Sequence, residues 1–142
     1  MKLRILIFDQ DSSVRNLLRT YLSSHGHTVH TFPHPSACPL FHHLEDQGCR
    51  CPKAEPCGDV VLMEHCMPGI NAFNFLQLQR ERGCKALDVN KAVMSTSLPP
   101  VMKVALEKFG CHHIAKPFRL ENIRRWVEEC ASRLAGTDNA SL

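Results

Sequence analysis

The sequence LRILIFDQDSSVRNLL, residues 3–18, joins a hydrophobic run to a polar turn and then to a helical pattern. Leu3–Phe8 is apolar at almost every position, which is typical of a strand buried on both faces of a sheet. The polar turn Asp9–Ser13 follows, and apolar residues then recur at helical spacing up to Leu22. This stretch therefore predicts a buried strand that leads through an acidic turn into an amphipathic helix.

The same alternation of strand and helix patterns continues along the chain. Four later runs rich in apolar or β-branched residues predict further strands: Thr28–Phe32, Val60–Met63, Lys91–Ser95 and His112–Ala115. Apolar stripes at helical spacing predict five helices, and these stripes begin at Val14, Leu40, Phe73, Met102 and Leu120. Because strands that are buried on both faces belong in a parallel sheet covered by helices, the pattern predicts a doubly wound five-stranded α/β domain.

The composition indicates one globular domain. Hydrophobic residues make up 44% of the 142 positions and charged residues 22%, which excludes a disordered chain. The net charge of +3 is too small to mark a nucleic-acid-binding surface. No hydrophobic run is long enough for a signal peptide or a membrane span, so we expect a cytoplasmic protein with reduced cysteines.

Functional side chains of a doubly wound sheet gather beyond the carboxyl ends of its strands, and four motifs lie there in this chain. They read FDQDSSVR at 8–15, LMEHCMPG at 62–69, AVMSTS at 92–97 and AKPF at 115–118. In type and order these motifs resemble the receiver domains of bacterial two-component response regulators. The resemblance implies a flavodoxin-like (CheY-like) fold for residues 1–135 and a role in phosphorelay signalling without enzymatic activity. The small and polar residues near the chain's end predict a flexible tail at 136–142.

In that family an acidic pair after the first strand binds Mg²⁺, and an aspartate after the third strand is phosphorylated. The resemblance places Asp9 and Gln10 at the acidic pair and Glu64 at the phospho-acceptor position. Gln10 removes a metal-binding charge, and the longer Glu64 displaces the nucleophile by about 1 Å or more, an error that can lower a rate about a hundredfold. We therefore expect weak or absent Mg²⁺ binding and a pseudo-receiver that is not phosphorylated. The alternative is a receiver that is phosphorylated despite these changes.

The resemblance also implies phosphoryl-contact and switch positions. It places Thr96 as the switch hydroxyl, His113 as the ring three residues before the lysine, and Lys116-Pro117 as a cis dipeptide whose lysine contacts the phosphoryl group. Two interpretations of Glu64 stay open: a phosphate-like pair with Lys116 that also reaches Thr96, or a plain salt bridge in a decayed site. His113 is equally compatible with a titrating switch and with no signalling role.

Three of the eight cysteines, Cys49, Cys51 and Cys57, crowd a loop predicted at 46–58. Three interpretations of this loop fit the sequence: a Zn²⁺ site, a redox-sensitive thiol pair, and inert thiols. The first two define a different class of function, a metal- or redox-sensing module. Cys84, Cys111 and Cys130 lie in or beside apolar patterns, and we expect them to be small buried side chains.

A signalling module without an output domain acts through protein contacts or self-association. The family's usual contact surface comprises the fourth predicted helix, the fifth strand and the fifth helix, where Arg124, Arg125 and Trp126 lie. An exposed tryptophan among arginines is typical of an interface hot spot, although Trp126 also fits an inward-facing position. A phosphatase with Asp9 as nucleophile is disfavoured because further acidic residues are missing. We expect no nucleic-acid, membrane or small-molecule partner.

Overall fold

Five parallel strands form the central sheet, as predicted. The structure is a computed structural model that describes residues 2–35, 58–67 and 69–140. The strands are β1 (Arg4–Phe8), β2 (Thr28–Phe32), β3 (Val60–Glu64), β4 (Lys91–Ser95) and β5 (His112–Ala115). Their spatial order is β2-β1-β3-β4-β5 with every neighbour parallel, which confirms the doubly wound flavodoxin-like class.

Four α-helices accompany the sheet within the described residues. They are α1 (Ser12–Ser24), α2 (Ala72–Glu81), α3 (Pro100–Phe109) and α4 (Leu120–Ala140), and a short 3₁₀ turn covers Asp88–Asn90. The further helix predicted from Leu40 lies outside the described residues, as does the cysteine loop at 46–57. A two-residue antiparallel pair, Cys66–Met67 with Ile70–Asn71, precedes α2 and was not predicted.

The last helix is longer than the sequence predicts. We expected the tail to begin at Gly136, yet α4 continues to Ala140. Gly136 and the polar residues after it are weak helix formers, each less favourable than alanine by up to about 1 kcal/mol. Elongating an existing helix requires no new nucleation, so such residues can still extend it. The helix therefore extends beyond the expected boundary at 135/136, and the flexibility of residues 136–142 stays a prediction.

The core lies on both faces of the sheet. One cluster joins β1, β3 and β4 to α1 and α4, and it includes Ile5, Leu18, Ile123, Trp126 and Cys130. The other packs the opposite face against α2 and α3, and it includes Phe8, Met63, Phe75, Leu106 and Cys111. Nearly all residues of the sheet's middle strands are buried, which explains why continuous apolar runs marked them in the sequence.

Trp126 belongs to this core, which corrects the expectation of an exposed hot spot. Only 4% of its surface is accessible. It shares one helical face with Ile123, Val127 and Cys130, at the spacing of residues that point to a common side, and all of them are buried. Its indole ring stacks on the imidazole of His112 with 5.5 Å between ring centroids. Trp126 therefore anchors α4 to the sheet.

The buried-cysteine prediction is confirmed for two of its three residues. Cys111 and Cys130 are buried, and burial raises the pKa of each thiol to about 11. Cys84 is only partly buried. In the part of the chain that the structure describes, no helix is long and apolar enough to cross a bilayer.

Candidate functional site

Asp9 lies at the carboxyl end of β1 with no accessible surface. Its Oδ2 accepts a hydrogen bond from Nζ of Lys116 at 2.9 Å, and its Oδ1 accepts one from the backbone N–H of Asp11, also at 2.9 Å. Its backbone carbonyl accepts a third from Nη1 of Arg15 at 2.7 Å. A buried carboxylate is tolerated only when it is paired and hydrogen-bonded, and both conditions are met here.

Glu64 lies at the end of β3, where parallel pairing brings it beside the same lysine. Its Oε1 is 3.5 Å from Nζ of Lys116, and its Oε2 accepts a hydrogen bond from the backbone N–H of Gln10 at 3.3 Å. The side chain of Glu64 is 18% exposed. The Gln10 side chain is exposed, so this residue contacts the predicted acceptor through its backbone. Thus Glu64 pairs with Lys116, whereas Thr96 is exposed and no hydrogen bond joins it to Glu64.

Lys116 bridges the two carboxylates from the end of β5. Its side chain is 15% exposed, and its backbone N–H donates to the carbonyl of Ser95 at 2.7 Å, which ties β5 to the end of β4. The Lys116–Pro117 peptide is cis, as expected from the sequence. Asp9, Glu64 and Lys116 together carry a formal charge of −1. One ammonium therefore compensates half of the carboxylate charge in this pocket.

The donor atoms around Asp9 do not fit the Mg²⁺ ion that the resemblance implies. Mg²⁺ requires near-octahedral oxygen coordination, usually from one or two carboxylates together with phosphate. Both oxygens of Asp9 already accept hydrogen bonds, and the Lys116 ammonium lies against one of them. Asp11 instead caps α1, where its Oδ1 accepts from the N–H of Ser13 at 2.8 Å. Across residues 2–35, 58–67 and 69–140, no three His, Cys, Asp or Glu side chains are arranged to hold a metal ion.

The hydroxyl that contacts His113 belongs to Ser95, which corrects the expected pairing with Thr96. Ser95 Oγ and His113 Nε2 are 2.9 Å apart. Ser95 is the last residue of β4 and lies on the same face as Val93, which is directly opposite His113. Side chains alternate between faces along a strand, so the next position, Thr96, turns away and is exposed. Sequence inspection could have found Ser95 by counting this alternation from the buried residues of β4.

The ring of His113 lies among groups that disfavour its protonation. Burial, the nearby ammonium of Lys103, and the imidazoles of His112 and His65 all lower its pKa. His65 itself has a buried Nδ1 for which the described residues offer no hydrogen-bond partner. The lowered pKa favours the uncharged ring, which can donate to Ser95 Oγ or accept from it according to its tautomer.

The remaining predicted positions separate into two groups. The thiols of Cys49, Cys51 and Cys57 lie outside the described residues. Arg124 and Arg125 lie on α4 and form ion pairs one turn away, with Glu128 at 3.2 Å and Glu121 at 2.9 Å. These are pairs within one helix near its surface, worth about 0.3–0.5 kcal/mol each. Arg125 is exposed and Arg124 is partly buried.

Solved receiver-domain structures share this architecture. The Francisella response regulator 1452 receiver domain is 16% identical; the match covers 94% of this chain and 99% of that chain, with a TM-score of 0.72. The chain has the receiver-domain fold. Chemotaxis protein CheY4 of Vibrio cholerae is 19% identical over 92% of this chain and 99% of its own, with a TM-score of 0.68. The beryllofluoride-activated NtrC4 receiver domain dimer is 19% identical; the match covers 89% of this chain and 94% of that chain, with a TM-score of 0.68. No family model and no curated protein sequence matches the chain.

Proposed function

We propose that this chain is a receiver-type signalling module of a two-component phosphorelay system, and that it works through protein contacts without being phosphorylated. The observation that carries the proposal is the double pairing of Lys116 with Asp9 and Glu64. A receiver needs its lysine for the incoming phosphoryl group and its acidic residues for Mg²⁺. Here the lysine already holds two carboxylates, and the residues present are a poor donor set for the metal.

Glu64 supports a state that is independent of a kinase. Its carboxylate extends one bond further than an aspartate would, and it contacts the lysine that in the family contacts the phosphoryl group. It carries one negative charge, against about 1.5–2 for a phosphate. The contact reproduces one interaction of a phosphorylated site, the ion pair with lysine. The contact between Ser95 and His113 is present at the same time.

The proposed contact surface comprises α3, β5 and α4, with Arg124 and Arg125 at its edge and without Trp126. Two observations support it: the side chains of both arginines are at least partly exposed, and the similar NtrC4 receiver domain is described as a dimer. Because Trp126 is buried, the binding energy of this surface must come from other side chains.

The test is incorporation of phosphate from a small-molecule phosphodonor in the presence of Mg²⁺. The unmodified chain should show no labelling, whereas Gln10→Asp combined with Glu64→Asp should restore labelling and Mg²⁺ binding. Each single substitution should restore much less, because metal and nucleophile act as a unit and their effects are not additive. Mg²⁺-dependent labelling of the unmodified protein that maps to Glu64 would replace the proposal with the phosphorylated alternative.

The cysteine loop has its own test, because the metal-sensing and redox-sensing alternatives depend on it. Metal analysis and thiol titration of anaerobically purified protein separate the three interpretations. About one zinc per chain, released by Cys51→Ser, would support a structural metal site. Metal-free protein in which every loop thiol reacts rapidly would exclude that site and leave the redox interpretation.

A further inference from the structure

Helix α3 has apolar side chains on two faces, and only one of them packs into the core. Leu106 points inward and is 2% exposed, as expected for a helix that covers a sheet. On the other face, Val101 is 78% exposed and Val104 is 50% exposed. Ala105 and Lys108 complete a stripe with the spacing i, i+3, i+4 and i+7, so these four residues share one side of the helix.

This stripe borders a groove between α2 and α3. The groove has a volume of about 440 Å³ and is lined by Phe73, Val101, Val104, Ala105, Lys108 and Phe109. Phe73 of α2 and Phe109 of α3 stack face to face, with 5.3 Å between ring centroids and an angle of 1° between the rings. The stacked rings form an aromatic wall that joins the two helices. We call this feature the α2–α3 groove.

Two cations lie beside residues of the α2–α3 groove. Lys108 lines it directly, and the guanidinium of Arg80 lies 4.9 Å from the centroid of the Phe109 ring. Neither cation forms an ion pair with any carboxylate among the residues that the structure describes. An apolar groove beside two cations that form no ion pair with the described carboxylates complements a ligand that has an apolar face and an acidic side chain.

We propose that the α2–α3 groove docks an amphipathic helix of a partner protein, with an acidic side chain of that helix near Lys108 or Arg80. The exposed stripe from Val101 to Lys108 spans about 10 Å, or two helical turns, which matches the apolar face of a docked helix. A second copy of this chain fits less well, since a two-fold interface must be self-complementary and the described residues that line this groove include a lysine and no carboxylate. The proposal rests on the proposed action through protein contacts, adds α2 to the surface of α3, β5 and α4 named there, and is independent of phosphorylation.

The experiment uses the full chain and two labelled synthetic peptides of about 18 residues with the same leucine stripe. One peptide has glutamate at its polar positions and the other has lysine. By fluorescence anisotropy at low salt, the acidic peptide should bind at least about tenfold more tightly, and added salt should narrow that difference. Lys108→Glu should reduce or reverse the preference for the acidic peptide over the lysine peptide. Val104→Asp should weaken binding of the acidic peptide about tenfold or more.

Val89→Asp is the matched control, because Val89 is 43% exposed and lies outside the groove. It should leave peptide binding unchanged, and circular dichroism should show that all variants are folded. Equal binding of both peptides, or binding that is insensitive to Val104→Asp, would overturn the proposal. A dimer in sedimentation equilibrium that Val104→Asp dissociates would assign the groove to a second copy and overturn it as well. None of these outcomes bears on phosphate labelling, so the two proposals fail separately.

Discussion

Replacing Lys116 with methionine should cause a large loss of stability. The substitution keeps most of the side-chain volume and removes the ammonium that lies 2.9 Å from Asp9 Oδ2 and 3.5 Å from Glu64 Oε1. Glu64 is 18% exposed and can turn towards water, whereas Asp9 has no accessible surface and cannot. Removing one partner of a buried ion pair costs about 3–5 kcal/mol, because an uncompensated charge stays behind. The hydrogen bond from Asp11 N–H to Asp9 remains in the variant, so we expect a loss of stability near the lower end of this range.

Urea denaturation followed by far-ultraviolet circular dichroism measures this loss. With a slope of about 2 kcal/mol per molar urea, a loss of about 3 kcal/mol lowers the midpoint by about 1.5 M. Lys108→Met is the control, since Lys108 is exposed, and it should change stability by no more than about 0.5 kcal/mol.

A double-mutant cycle with Asp9→Asn identifies the cause. If the buried charge of Asp9 is responsible, then Asp9→Asn together with Lys116→Met should be more stable than Lys116→Met alone, by about 1 kcal/mol or more. A loss below about 1 kcal/mol for Lys116→Met would refute the reasoning. A loss of about 3 kcal/mol that Asp9→Asn does not reduce would also refute it. That result would mean that packing of the lysine's aliphatic stem stabilises the fold, and not compensation of the Asp9 charge.

Three further predictions concern the core and two histidines. Trp126→Ala should lower the free energy of unfolding by about 3–5 kcal/mol, and a small loss in urea denaturation would place the ring at the surface after all. Ser95→Ala should change the imidazole titration of His113 followed by nuclear magnetic resonance, whereas Thr96→Ala should not; the opposite result would restore the pairing expected from the sequence. His27 accepts a hydrogen bond from Leu3 N–H at Nδ1, and its pKa is lowered chiefly by burial. The folded state thus binds fewer protons at His27 than the unfolded state does. The free energy of unfolding should therefore hold its value above about pH 6.5 and decrease as the pH falls below it. The decrease should be smaller in His27→Gln.

The strands of the sheet could be predicted because burial on both faces produces a distinctive sequence pattern. The predicted run Lys91–Ser95 coincides with β4, and Thr28–Phe32 coincides with β2. The same pattern located the ends of the strands, and parallel pairing then brings Asp9, Glu64 and Lys116 together. The contacts of this pocket were therefore foreseeable from topology, although their distances were not.

It was harder to predict which of two adjacent residues makes a given contact, since this depends on the face of the strand or helix that each side chain occupies. Ser95 and Thr96 are neighbours with similar hydroxyls, and only the pleat of β4 decides which of them meets His113. The sequence around Trp126, with two adjacent arginines, resembles the composition of an interface. Only its position on the same helical face as Ile123 and Val127 indicates that its side chain lies in the core. Composition is the weaker guide in both cases, and periodicity relative to a known buried residue is the stronger one.

Of the two departures from the receiver pattern, Gln10 changes the charge of the pocket, whereas Glu64 keeps the charge of an aspartate. With aspartate at position 10, three carboxylates beside one lysine would carry a formal charge of −2, which a divalent cation compensates. With Gln10 in place the sum is −1, and Lys116 pairs with both remaining carboxylates directly. Buried charges are stable only when they are compensated locally, so a pocket closer to neutrality has less need of a metal ion. The effects of Gln10 and Glu64 are therefore consistent with each other. Gln10 reduces the negative charge that a cation would compensate, and Glu64 has a longer carboxylate that reaches the lysine without a phosphoryl group.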